Sequence, residues 1–129
     1  MKTTKKHFKI FKRECKKWIK FFSLTDYEIH FAHSDENVGD GNMANCYRSS
    51  NSRIARLSLC QTWGEDFICE LNDENIRLSA FEEVCHVLLY GLSSCAYARF
   101  IMEHEINEAE HSLIRVLQNV IFKQQNKGE

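Results

Sequence analysis

The period of the apolar residues changes along this chain, and the order of those changes limits its possible folds more than any other feature. Between residues 5 and 22, Phe8, Phe11, Cys15, Trp18 and Phe22 recur at steps of three and four. That spacing predicts a helix with one apolar face. Tyr27 to His33 alternates at period two, as a half-buried strand does. Ala44 to Ser49 and Arg53 to Cys60 read as two further strands, and Ser50-Asn51-Ser52 between them has the chemistry of a hairpin turn. Helical spacing returns over 74–92, where Leu78, Phe81, Cys85, Leu88 and Leu92 form a stripe that Val84 and Leu89 widen. Asn72 or Asp73 stands where its N-cap belongs. Residues 98–122 predict a third helix or a pair, with Ala109, Leu113, Val116 (or Leu117) and Val120 facing inward. The order is helix, three strands, helix, helix. This predicts an α+β fold with a small, mostly antiparallel three-stranded sheet. The segment from Gln61 to Leu71 is ambiguous, Phe67-Ile68-Cys69 suiting either a short edge strand or a loop.

With 129 residues the chain has room for one domain, read here as 1–129, with a polar tail from Lys123. No proline, repeat or low-complexity tract divides it. No apolar run approaches the ~20 residues that span a bilayer. None follows the opening Met1-Lys2-Thr3-Thr4-Lys5-Lys6 as a secretory leader would require. The expectation is a soluble cytoplasmic protein without membrane contact. Six cysteines, at 15, 46, 60, 69, 85 and 95, lack any CxxC spacing. They read as free thiols acting mostly as small buried hydrophobes. Cys85 in particular is expected in the core.

Charge is segregated. Residues 1–20 hold nine Lys/Arg and a single acid, Glu14, whereas the rest of the chain is acidic and the net charge is only −1. Such a segment is either an arm for a polyanion or a basic helix docked on an acidic body. In the arm reading Trp18, Phe21 and Phe22 are available to stack on bases. No nucleic-acid-binding motif accompanies the segment, so sequence-specific readout has no support and no residue is assigned to nucleic acid. Between residues 65 and 110 eleven acids face two arginines, a surface suited to a basic partner. His30 and His33 fall on opposite strand faces, His104 reads as a surface residue, and His7 adds charge to the basic segment only at acidic pH.

The second predicted helix carries a polar strip of Ser79, Glu82, Glu83, His86 and Tyr90. Glu82 and His86, four apart, share one helical face and could grip one ion. Glu82-Glu83-Val84-Cys85-His86 has the shape of the HExxH zinc-protease motif, with glutamate in place of the first histidine.

The stretch Phe81-Glu82-Glu83-Val84-Cys85-His86-Val87-Leu88-Leu89 resembles the active-site helix of small zincin-type metallopeptidase-like proteins, including phage-encoded ones. Trp18, Leu24, Asp26 and the strand from Tyr27 to Phe31 resemble that family's opening. Glu108-Ala109-Glu110-His111 with Leu113 to Asn119 resembles its closing helix. The resemblance implies a zincin-like fold with an active-site-type helix and a C-terminal closing helix. It implies Glu83 as general base, Glu82 and His86 as metal ligands, and Glu108 or His111 as the third ligand. Zinc is the implied metal, with manganese or no metal as the alternatives, since a carboxylate-rich donor set is harder than three histidines. If metal is absent, Arg77, Arg99 or Arg115 would neutralise the carboxylates. The implied partner is a peptide or protein substrate. The other reading is a non-catalytic protein that binds or inhibits a host protein, or binds nucleic acid, through the acidic body or the basic helix. Oligomeric state is not legible.

Overall fold

The computed structural model describes residues 1–35, 43–49, 52–63, 70–98 and 100–123. Four α-helices and a three-stranded mixed sheet make up an α+β architecture. Helix α1 spans Lys5–Phe21. Thr4 caps it: its hydroxyl accepts from the His7 amide while the His7 ring accepts from the Thr4 amide. The helix ends in a Schellman turn. Leu24 N–H reaches Ile19 O at 2.9 Å and Ser23 N–H reaches Lys20 O at 3.1 Å, with Ser23 in the left-handed region at φ 57°. Leu24, just past the turn, is buried and fixes the chain's exit into β1.

Strands β1 (Glu28–His33), β2 (Ala44–Ser49) and β3 (Ile54–Leu59) lie in the order β1-β3-β2. β2 pairs antiparallel with β3, Ser49 opposite Ile54 and Ala44 opposite Leu59. β1 pairs parallel with β3, from Glu28 opposite Ile54 to His33 opposite Leu59. The sheet is therefore mixed, one pair of each kind, rather than mostly antiparallel. Consecutive strands joined by a short turn pair antiparallel, but β1 is followed by a longer connection that lets β2 take the far side of β3. Within the turn between β2 and β3, Ser50 and Asn51 lie outside the described residues, as do Phe67, Ile68 and Cys69.

Helix α2 spans Asp73–Leu88, and Asn72 is its cap, Oδ1 accepting from Asn75 N–H at 2.8 Å. The helix predicted over 74–92 stops at Leu89, and a separate short helix, α3, runs Tyr90–Tyr97. Helix α4 covers Glu103–Leu117 and continues as a π-helical turn over Gln118–Phe122. Val120 is buried and Val116, not Leu117, is the half-buried residue beside it. The tail beyond Lys123 lies outside the described residues.

One core joins these elements. α1 contributes Ile10, Phe11, Cys15 and Phe22; β3 contributes Ala55, Leu57 and Leu59; α2 contributes Ile76, Ala80, Val84 and Val87. Residues 1–3 are also bound in: Thr3 N–H donates to Gln61 O, and Trp63 N–H donates to Met1 O. On α2 the observed face differs from the expected stripe. Leu78 is 59% exposed and Leu89 is exposed, while Phe81, Cys85 and Leu88 are half-buried. The buried arc is centred on Ile76, Ala80, Glu83, Val84 and Val87. α2 is covered by α1 and by β2, and this packing sets which arc is buried. Cys85 is consequently half-buried rather than in the core. Of the described cysteines, Cys15 and Cys60 are buried.

Candidate functional site at the α2–β2 junction

Glu83 is the one carboxylate on α2's buried arc, at 8% exposure. It is one helical turn from Ala80 and Val87, both buried. Burial pushes its carboxyl up to about 7, and neighbouring Glu82 pushes the same way. Arg48 on β2 pulls it back down. The Cys15 and Cys46 thiols, from α1 and β2, lie within electrostatic reach of Glu83, and burial raises both, Cys46 to about 12. A carboxyl raised to about 7 changes protonation near physiological pH.

Arg48 is fixed at this junction. Its Nη1 donates to the backbone oxygen of His86 at 2.7 Å, supporting the last turn of α2. Its guanidinium lies 4.6 Å from the centre of the Tyr90 ring. Arg48, which the sequence did not single out, is the cation whose charge acts on the Glu83 carboxyl. Arg77 borders a groove with Trp18 and Leu78, Arg115 lies on α4, and Arg99 falls outside the described residues. Nothing in the local sequence marks Arg48, because its role depends on β2 lying beside α2.

Glu82 and His86 are both exposed, one turn apart on the outer side of α2. Glu83 is on the inner side, so the two candidate ligands and the candidate base look in different directions. Glu108 and His111 sit on α4 and are exposed, lining a surface groove with His104, Asn107 and Arg115. The His111 ring nitrogen Nδ1 is 2.8 Å from Asn107 O, a contact within that helix. The side of α4 that meets the body is instead Ala109, Ser112, Leu113 and Val116, which enclose a cavity with Val87 and Leu88 of α2. Glu108 and His111 lie about 100° or more around the helix from Ala109. Among the described residues, no group of three or more His, Cys, Asp or Glu side chains is gathered as a metal ion would need. The four candidate ligands are therefore divided between two surfaces, a pair on α2 and a pair on α4.

His33, on the first strand, is engaged structurally: its Nε2 is 2.6 Å from Thr3 Oγ1, whose hydroxyl also reaches Cys60 O at 2.6 Å. His30 faces Glu28 at 3.1 Å. Among the described residues, no helix is long and apolar enough to cross a membrane. No family model, curated protein or solved structure matches the chain.

Proposed function

We propose that the chain is a zincin-type metallopeptidase-like protein with a degenerate centre, and that it engages polypeptide without a three-ligand zinc site. The observation that carries this reading is Glu83: a buried carboxyl raised to about 7, on the residue that the resemblance makes the general base. The helix–strands–helix–helix order supports it, as does β2, which pairs only with β3 among the described residues and lies beside α2. A sheet edge of this kind offers its backbone to an extended peptide, while Arg48 and Tyr90 supply side-chain contacts. The donor set does not fit a peptidase zinc. Glu82 and His86 offer two donors, and Glu108 and His111 stand on another surface.

The test is metal content by elemental mass spectrometry, before and after dialysis against zinc or manganese, together with a peptide-library hydrolysis screen. The expected result is less than one equivalent of either metal and no hydrolysis. One tightly held equivalent that disappears in His86→Ala, with hydrolysis that disappears in Glu83→Gln, would make the protein a working enzyme and overturn the degenerate-centre reading. Backbone amide exchange reads peptide engagement: protection confined to β2 on adding extended peptides is expected, and protection elsewhere removes the edge strand from the proposal.

A further inference from the structure

The outer face of α1 has no part in the α2–β2 junction. The helix is ~25 Å long at 1.5 Å per residue. Lys5, Lys6, Lys9, Arg13, Lys16, Lys17 and Lys20 are all exposed on it, and Lys12 is half-buried. Lys5, Lys9, Arg13, Lys16 and Lys20 fall within about 80° of arc, a straight line of positive charge. The helix has one acid, Glu14, which is half-buried and already engaged: it accepts from the Trp18 indole at 3.0 Å and from Lys17 at 3.4 Å. The rest of the molecule carries the compensating negative charge, so the protein is strongly polarised along one helix.

We propose that this face binds the phosphodiester backbone of a nucleic acid duplex. Two structural facts select this partner. The apolar side of α1 is committed to the core through Ile10, Phe11, Cys15 and Phe22, so the helix has no free apolar face to lay into a lipid surface. The aromatic residues that could stack on unpaired bases are likewise committed. Trp18 packs edge-on against Phe21 and Phe81, at 5.3 and 4.7 Å between ring centres, and Phe22 stacks beside it. What remains is a row of flexible cationic groups without an apolar centre. Such a row suits a regular line of phosphates better than a protein interface, which needs a buried apolar patch. Binding is then independent of base sequence.

The experiment is fluorescence anisotropy of the full chain with a 20-base-pair DNA duplex, a single strand of the same length and anionic vesicles of phosphatidylserine in phosphatidylcholine, at 50 to 200 mM salt. With about four phosphates contacted, the log–log salt slope is about −3.6, so affinity falls roughly 100-fold over that range. Combining Lys5→Gln, Lys9→Gln and Arg13→Gln removes exposed charges only. It should lower duplex affinity at least tenfold and flatten the slope by about 2–3, with the circular dichroism melt unchanged. Absence of duplex binding at 50 mM salt overturns the proposal, as does equal binding by the triple variant. Preference for vesicles over duplex replaces it with a lipid surface. Tighter single-strand binding with a shallow slope replaces it with base stacking.

Discussion

Glu83→Gln isolates the energetics of the buried carboxyl. The side chain keeps its size, so the packing around it is retained. In the unfolded chain a glutamate loses its proton near the ordinary 4.5; in the fold it does so near 7. The folded state therefore holds the proton more tightly. Its stabilising contribution is fully present below about pH 4.5, declines as pH rises and is gone above about pH 7. At ~1.4 kcal/mol for each pH unit between those values, the loss is about 3 kcal/mol. Against the ~5–15 kcal/mol that hold a domain folded, this is a large share. The side chain is nearly sealed, so screening by solvent reduces it little. Glutamine is neutral at every pH and removes the effect. Urea unfolding of both proteins at half-unit steps from pH 5 to 8 reads the difference. The variant should gain on the wild type by about 2–3 kcal/mol between pH 5 and 8, with unchanged m-value. His33, whose charged form burial disfavours, has the opposite slope, but it is common to both proteins and cancels in the difference. Parallel pH profiles for the two proteins would show that Glu83 titrates as an exposed carboxyl, and the reasoning from burial would be refuted.

Three further outcomes follow from the same structure. Phe11→Ala empties a fully buried site between α1 and α2 and should cost about 3–5 kcal/mol by chemical denaturation; a cost below 1 kcal/mol would show that α1 is not part of the core. Ser23→Gly relieves a left-handed serine in the Schellman turn and should raise stability by roughly 0.5–1 kcal/mol, a Tm increase of a few degrees by calorimetry; a decrease would mean the serine hydroxyl contributes more than the strain costs. Asn72→Ala removes the cap of α2 and should cost about 1 kcal/mol, with amide exchange at Asn75 accelerated first.

The legible and illegible parts of the molecule divide along one physical line. α1 was readable because its two faces contrast sharply: lysines and arginines on one side, Phe8, Phe11, Cys15 and Phe22 on the other. β1 was readable from its alternation and Val120 from its spacing on the last helix, whereas that spacing left Val116 and Leu117 as alternatives. α2 was readable as a helix but not as a face. Its apolar residues surround most of the cylinder, and the stripe through Leu78 and Phe81 competes with the one through Ile76, Ala80 and Val84. At the site, Glu82, Glu83 and His86 could be picked out as a group, but not the fact that Glu83 points inward while the other two point to solvent.

The sequence by itself therefore determined the local conformations, the basic outer side of α1 and the candidate group on α2, because hydrophobic period and capping act over a few residues. Only the tertiary structure decided that β1 runs parallel to β3, that the charge of Arg48 acts on Glu83, and that Ala109, Ser112, Leu113 and Val116 rather than Glu108 and His111 form the side of α4 that meets α2. Each of these depends on which element covers which arc of a helix or which edge of a strand, and that is settled by burying surface between segments far apart in the chain.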